Sequence, residues 1–185
     1  MALLLSRVDS ALTLTQSRSN LATARALGAR AQVLTLLEDH VGAQSSLDRQ
    51  ARVFDALPGH VTDDELSPDG WTERRLLYTR SLVYTLAAHP AAEQAQREAL
   101  QAYPPGVPRG KAQLQLHGAI STVRNGDVSD GLEYARRVVS DLGSDVSQCV
   151  VQTASMVADA VPAQEQAREV VRDYRAGLAL PGAAT

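Results

Sequence analysis

The chain has 185 residues, of which 44% are hydrophobic, 21% are charged and only 4% are aromatic, and its formal net charge is −3. A chain of this size can bury a core of its own. Because the balance of charge is slightly negative, no overall positive field attracts nucleic acid, and we expect no direct nucleic-acid binding. With so few aromatic residues the core must consist of Ala, Leu and Val, which favours closely packed helices.

The single cysteine and the lack of long apolar runs indicate in which compartment of the cell the protein is expected. Cys149 has no partner for an internal disulfide and cannot build a cysteine zinc site. It lies in an apolar helical run, which predicts a buried, inert thiol. No run approaches the roughly 20 apolar residues of a membrane span, and residues 1–5 are too short for the core of a signal peptide. We therefore expect a cytoplasmic protein without membrane contact.

The first part of the chain predicts a helix over residues 2–16 and a helical hairpin over 20–58. Ser19 or Asn20 caps the first helix of the hairpin. That helix should run over residues 21–39 until His40-Val41-Gly42 breaks it, and the return helix follows. Apolar residues three and four apart mark the side of a helix that is buried. The stripe expected to be buried on the first helix of the hairpin is Ala22, Ala26, Ala29, Val33, Leu36 and Leu37.

Residues 58–71 are the longest irregular segment and carry three successive carboxylates, Asp63, Asp64 and Glu65. These acids lack the alternating spacing and the glycine of a calcium-binding loop. The composition instead predicts a solvent-exposed loop with a helix-capping aspartate. We therefore expect no metal ion here, and no other stretch of the chain suggests a cofactor.

Two further hairpins are predicted over residues 72–104 and 108–143. The turn of the second is Asn125-Gly126-Asp127, where Asn and Gly can end a helix in the left-handed conformation and Asp can cap the next one. Gly131 lies inside that next helix, where glycine costs roughly 1 kcal/mol relative to alanine. We expect Gly131 to face Ala119 at a close helix crossing; the alternative is a tolerated surface glycine. Overpacking should make Gly131→Leu strongly destabilising and Gly131→Ala much milder.

A final pair of helices is predicted over residues 145–180. Ser144 or Asp145 should cap the first of them, Pro162 should begin the second, and Pro181-Gly182 should end it near Leu180. The first has an apolar spine of Val146, Val150, Ala154, Val157 and Val161. No segment alternates with a period of two residues, so no sheet is expected. The predicted fold is an all-α, right-handed α-solenoid of about eight antiparallel helices, in one domain over residues 1–185.

The paired helices resemble a tetratricopeptide repeat array. That repeat places small residues twelve positions apart where its helices cross, as Ala119 and Gly131 are. Four stretches in this order resemble the C-terminal repeat region of actinobacterial helix-turn-helix regulators of the Cro-like class: 82–85, 99–105, 125–132 and 160–162. The likeness covers roughly residues 70–180. It implies that the chain senses a partner or dimerises as part of a transcriptional regulator.

The chain departs from that family's plan at its beginning. Such regulators carry an N-terminal DNA-binding domain, but residues 1–57 contain no convincing recognition helix. Either that domain has been removed or the protein works without it. The alternative function is a standalone adaptor that scaffolds other proteins. The sequence also lacks a glycine-rich phosphate loop and the common hydrolase motifs, so we expect no enzymatic activity.

A binding surface is predicted on the first helix of each central hairpin, residues 72–88 and 108–124, because these helices line the concave side of a solenoid. The five side chains expected in the groove are Arg80, Tyr84, Gln113, His117 and Arg124. Their donors suit carbonyls and carboxylates. The expected partner is therefore a peptide, a protein or a small acidic ligand. Alternatively, these residues cover a closed interhelical core or form a homodimer contact.

Overall fold

The computed structural model describes residues 1–16, 18–63, 70–104 and 106–178. These residues form α-helices, two short 3₁₀ helices and no strand, which confirms the all-α prediction. The helices are α1 (Ala2–Leu14), α2 (Leu21–Leu36), α3 (His40–Asp55), α4 (Gly59–Thr62), α5 (Glu73–Leu86), α6 (Ala92–Ala102), α7 (Pro108–Arg124), α8 (Val128–Asp141), α9 (Gln148–Asp159) and α10 (Glu169–Leu178). None of these helices is both long and apolar enough to cross a bilayer.

Some predicted features lie outside the described residues: the acids Asp64 and Glu65 of the irregular segment, Pro105, Leu180 and the terminator Pro181-Gly182. Ten helices are described where about eight were predicted, and the short helix α4 was not expected. The chain divides into two compact units, Met1–Ala91 and Ala92–Thr185. The single domain and the right-handed solenoid arrangement stay predictions.

In the first unit, α2 is the central helix and packs against α1, α3 and α5. Asn20 caps it, because its Oδ1 accepts a hydrogen bond from the Thr23 amide at 2.9 Å. Asn20 was one of the two predicted caps, beside Ser19. Glu38, with φ of 63°, turns the chain after α2. The carboxylate of Asp39 then caps α3 by accepting from the Gly42 amide at 2.8 Å. The predicted break at residues 40–42 is therefore wrong, because α3 already begins there.

The core of the first unit has two clusters of buried side chains. One contains Leu12, Ala24, Leu27, Val53 and Trp71, and the other contains Ala31, Leu34, Ala43, Leu47 and Val83. The ring of Trp71 meets Phe54 edge to face, with centroids 6.2 Å apart. The Trp71 amide also donates to the Val61 carbonyl at 2.7 Å, which anchors the chain just before α5.

The predicted buried stripe of α2 is mostly on the wrong side of the helix. Ala22 is exposed, Ala26 and Ala29 are half-buried, and Leu36 is 56% exposed. Only Val33 of the stripe is buried. The buried side of α2 is instead Ala24, Leu27, Ala31 and Leu34. The prediction failed because α2 carries apolar residues on both sides, and only one of them faces α3.

In the second unit, α7 is central and packs against α6, α8 and α9. Its bounds, Pro108–Arg124, are those predicted, with proline at the first position, where no amide hydrogen bond is lost. The core is aliphatic and includes Leu116, Ile120, Val123, Leu132, Val150 and Val157. Tyr174 of α10 closes it, and its hydroxyl donates to the Ala154 carbonyl at 3.0 Å.

The predicted close crossing of α7 and α8 is confirmed. A β-carbon on Gly131 would lie 2.5 Å from Val123 Cγ2 and 3.0 Å from the Ala119 carbonyl oxygen. Gly126 takes the left-handed conformation in the turn, with φ of 103°. Asp127 precedes α8, but its side chain makes no capping hydrogen bond, so that part of the prediction is wrong.

The last helices begin later than predicted. Ser147 precedes α9, whereas residues 143–145 form a 3₁₀ helix; α10 begins at Glu169 rather than at Pro162. The valine spine of α9 is largely confirmed, since Val150, Ala154, Val157 and Val161 are buried. Cys149 is exposed. The predicted buried thiol is wrong because this residue lies on the outer side of the first turn of α9.

Candidate functional site

Tyr84 lies near the end of α5 in the first unit, against the ring of His89. The two rings are stacked with centroids 4.3 Å apart and planes inclined by 27°. The turn after α5 sets this geometry: Ala88 has φ of 49°, and the His89 amide donates to the Tyr84 carbonyl at 2.9 Å. The Ala91 amide donates to His89 Nδ1 at 3.1 Å. An imidazole that accepts a hydrogen bond at Nδ1 carries a proton on Nε2, from which it can donate.

Helix α3 adds a row of polar side chains to the same place. Four of them follow at intervals of four residues, which is one side of a helix: His40, Gln44, Asp48 and Arg52. The capping bond from Gly42 to Asp39 sets where α3 begins and hence where His40 lies. The Gln44 amide donates to Asp48 Oδ1 at 2.7 Å, so one carboxylate oxygen of this row is already engaged.

The polar row of α3, together with Tyr84 of α5 and His89 just after it, surrounds an open pocket of about 470 Å³ in the first unit. Its apolar wall consists of Val41, Ala43, Val83 and Ala87. Around this wall are two imidazoles, one phenol, one guanidinium and one carboxylate. An apolar wall with a few converging polar groups is the usual form of a small-molecule site. Within the described part of the chain, no group of three His, Cys, Asp or Glu side chains could hold a metal ion.

Of the two predicted site residues in this unit, the structure brings Tyr84 into the pocket. Arg80 lies one turn earlier on α5, is half-buried and does not line the pocket. The other three predicted residues belong to α7 in the second unit. The binding role predicted for these residues stays a prediction.

His117 is fully buried, at 0% exposure, within the core side of α7. Burial lowers its pKa to about 3, because a charged imidazole would lose its hydration there. The side chain is therefore neutral at physiological pH. This burial is what the alternative of a packed histidine predicts, and it leaves the imidazole with no open groove to line in this structure.

Gln113 connects α7 to α9. Its amide nitrogen lies 3.4 Å from the Cys149 carbonyl oxygen and 3.3 Å from Thr153 Oγ1. This places Gln113 at an interhelical contact rather than on an open groove, in line with the alternative that these residues cover a closed core. Arg124 is exposed at the last residue of α7. Of the three predicted residues in the second unit, Arg124 is exposed, Gln113 is half-buried and His117 is buried.

The sequence reasoning missed the α3 side of the pocket. His40 was expected only in a break between two helices, and no site role was predicted for Asp48, Arg52 or His89. The repeat of polar residues every four positions from His40 was the available signal. Such a row is also typical of a solvated helix side, and only the approach of α5 turns it into the wall of a pocket.

No protein-family model, curated protein or solved structure matches this chain.

Proposed function

We propose that this chain is a regulatory binding module that takes a carboxylate-bearing ligand, a small acid or an acidic peptide, in the pocket between α3 and α5. The pocket itself is the observation that carries the proposal. Its volume of about 470 Å³ lies in the range of sites for small molecules. The apolar wall can remove hydrophobic parts of a ligand from water. The polar side chains around this wall form a polar rim, which sets the orientation of the ligand.

The rim favours an acid over a base. Arg52 can bind a carboxylate through two parallel hydrogen bonds. The Nε2 of His89 is a further donor, because its Nδ1 is occupied by the Ala91 amide. Asp48 would repel a carboxylate close to it, but one of its oxygens already accepts from Gln44. We therefore expect the acid group to lie on the side of Arg52 and His89, with Tyr84 beside the body of the ligand.

The leading biological role is the sensing part of a bacterial transcriptional regulator. Support comes from the ordered motifs over residues 70–180 and from the paired α-helices. The second candidate is an adaptor protein. It is favoured by the aliphatic side chains that the first unit exposes on α1 and α2, including Leu14 at 84%. An in-frame DNA-binding segment upstream in the gene would favour the regulator over the adaptor.

The ligand proposal is tested by NMR titration of the ¹⁵N-labelled chain. Suitable probes are benzoate, succinate and a capped glutamate-rich hexapeptide, together with any small molecule that native mass spectrometry finds co-purified. Amide shifts should cluster at the start of α3 and the end of α5. Arg52→Ala and Tyr84→Ala should weaken binding by roughly tenfold, the loss of one good contact. Arg136→Ala, an exposed arginine on α8, is the matched control.

Two results would contradict this assignment. Shifts clustered at Gln113 and Arg124 would place the ligand in the second unit. Equal losses for Arg52→Ala and Arg136→Ala would show attraction by net charge alone, with no built site in the pocket.

A further inference from the structure

Helices α1 and α2 leave an open groove of about 580 Å³ on the surface of the first unit. The apolar side chains that line it are mostly small: Val8, Ala11, Leu21, Ala22, Ala26 and Ala29. The three alanines of α2 follow one another at intervals of four and three residues, so they share one side of that helix. Because the distance between packed helices depends on the side chains at the contact, a lining of alanines admits the close approach of another helix.

The apolar side of α1 extends beyond the groove at both ends. Leu4, Arg7, Ala11 and Leu14 follow one another at intervals of three, four and three residues, which places them on one side of α1. Leu4 is 48% exposed and Leu14 is 84% exposed. Apolar surface that is left open to water in this way marks a site of interaction.

Two arginines give the groove a positive charge. Arg7 of α1 and Arg25 of α2 both line it, and both are exposed. None of the lining residues that the structure describes is acidic. Asp9, the acid nearest to Arg7 in the chain, is already paired, since its Oδ1 accepts from Arg30 Nε at 2.9 Å. An occupant that carries carboxylates therefore complements the groove, although the chain as a whole has a net charge of −3.

We propose that the groove between α1 and α2 binds an acidic amphipathic helix of a partner protein. Large aliphatic side chains on one side of that helix pack on the alanine lining. Glutamates or aspartates beside this apolar stripe pair with Arg7 and Arg25, because a guanidinium can bind a carboxylate through two parallel hydrogen bonds. This is the helix-in-groove mode of recognition, and it does not depend on the pocket between α3 and α5.

The chemistry of the lining favours a helix over an extended peptide. Alanine, valine and leucine side chains form no hydrogen bonds, and an arginine side chain only donates them. The backbone amides of an extended peptide would therefore find no acceptor among the described lining residues, whereas a helix satisfies its own backbone groups. A second copy of this face is a poor occupant, because it would set arginines against arginines.

The first test uses three dye-labelled, capped peptides of about 18 residues, or about five helical turns. The acidic probe has leucines at intervals of three and four residues along one side, with glutamates beside them. The basic probe has lysine in place of each glutamate, and the scrambled probe has the acidic composition without the leucine stripe. Fluorescence anisotropy with the full chain should show the acidic probe binding about tenfold more tightly than either of the others.

A charge reversal tests the pairing with the two arginines. In the double variant Arg7→Glu, Arg25→Glu the preference should reverse, so that the basic probe binds about tenfold more tightly than the acidic one. Both positions are exposed, so the helical spectrum should stay unchanged. The matched control is Arg136→Glu, at an exposed arginine of α8, which should keep the preference for the acidic probe.

A bulky side chain in the groove tests the location. Ala22 is exposed within one copy of the chain, so Ala22→Trp should fold normally, fill the groove and weaken binding of the acidic probe about tenfold. Ala176→Trp, at an exposed alanine of α10, should leave binding unchanged. Tyr84→Ala should also leave it unchanged, because Tyr84 belongs to the pocket between α3 and α5.

Four outcomes would overturn the proposal. The basic or the scrambled probe binds the wild-type chain as tightly as the acidic probe does. Arg136→Glu weakens the acidic probe as much as the double variant does, which would show attraction by net charge alone. Tyr84→Ala abolishes binding, which would place the helix in the other pocket. Sedimentation shows a wild-type dimer that Ala22→Trp converts to a monomer, which would make a second copy the occupant of the groove.

Discussion

Gln50 of α3 occupies the space that Gly28 of α2 leaves open. Its amide nitrogen donates to the Ala24 carbonyl at 3.0 Å, one turn before the glycine, and a β-carbon on Gly28 would collide with that nitrogen. The second unit repeats the arrangement. There, Gln96 of α6 donates to the Leu114 carbonyl at 2.7 Å, one turn before Gly118. In both units a glycine admits a glutamine from a neighbouring helix to a main-chain carbonyl.

The two glycines should respond differently to the same substitution. Gly28→Ala should destabilise by about 2 kcal/mol, because Gln50 is 1% exposed and an overpacked buried side chain has nowhere to move. Gly118→Ala should cost clearly less, since Gln96 is only half-buried and can turn towards solvent. Urea unfolding of both variants provides the comparison. Equal costs would show that burial of the glutamine does not decide the effect.

Gly131 should tolerate no side chain, which corrects the expectation that alanine is mild there. The β-carbon of Gly131→Ala would meet Val123 Cγ2 and the Ala119 carbonyl at 2.5 and 3.0 Å. We expect a loss of about 2 kcal/mol for alanine and more for leucine, because α7 and α8 must separate. Thermal unfolding measures the loss. The control is Gly177→Ala, where a β-carbon meets open space. A Gly131→Ala variant as stable as this control would refute the crossing.

His117 should make the stability of the fold depend on pH. Its pKa is about 3 in the folded chain, against 6.5 when exposed. Below pH 6.5 the unfolded state therefore binds a proton that the folded state does not, so stability falls as the pH drops from 6.5 towards 3. Between pH 7 and pH 5 this group alone removes about 2 kcal/mol of unfolding free energy.

The measurement is the difference in unfolding free energy between those two pH values. His117→Gln should remove most of the contribution of this group, whatever its stability at a single pH. His60→Gln, at an exposed histidine of α4, should keep the wild-type dependence. Identical pH dependence in the wild type and His117→Gln would show that the folded histidine binds its proton normally.

Two turns should be stabilised by glycine. Glu38 and Ala88 follow α2 and α5 with φ of 63° and 49°, a left-handed conformation that costs a residue with a β-carbon roughly 1–2 kcal/mol. Glu38→Gly and Ala88→Gly should each raise the free energy of unfolding by about 0.5–1 kcal/mol. This is the relief of strain less the cost of the greater entropy of glycine in the unfolded chain. Ala87→Gly, at a residue in the right-handed region, should lower the free energy of unfolding. Urea unfolding of the three variants provides the comparison.

Helix ends were predictable where the chemistry is local. Pro108 begins α7 and Gly126 ends the turn after it, because a fixed φ and a left-handed turn are properties of single residues. Which side of α2 is buried was not predictable in this way. Ala22 and Ala24 are chemically identical, yet the first is exposed and the second is buried at 0%. Their difference depends on where α3 and α5 pack, which is a long-range property.

The site shows the same division between local and long-range information. Tyr84 was predicted because it follows Arg80 by one turn, a spacing visible in the sequence. Its neighbour Arg52 comes from another helix more than thirty residues away in the chain, so only the packing of α3 on α5 brings it near. The burial of His117 was equally unpredictable, because helical periodicity indicates on which side of a helix a residue lies but not how deeply that side is buried.

Trp71 is the only tryptophan of the chain, and it is buried in the first unit, 4% exposed against Phe54. Its fluorescence therefore reports on the unfolding of residues 1–91 alone, whereas circular dichroism reports on helices of both units. Recorded together during one denaturant titration, the two signals measure cooperativity without any labelling. Superimposable curves would mean that the whole chain unfolds in one step, and separated midpoints would give each unit a stability of its own.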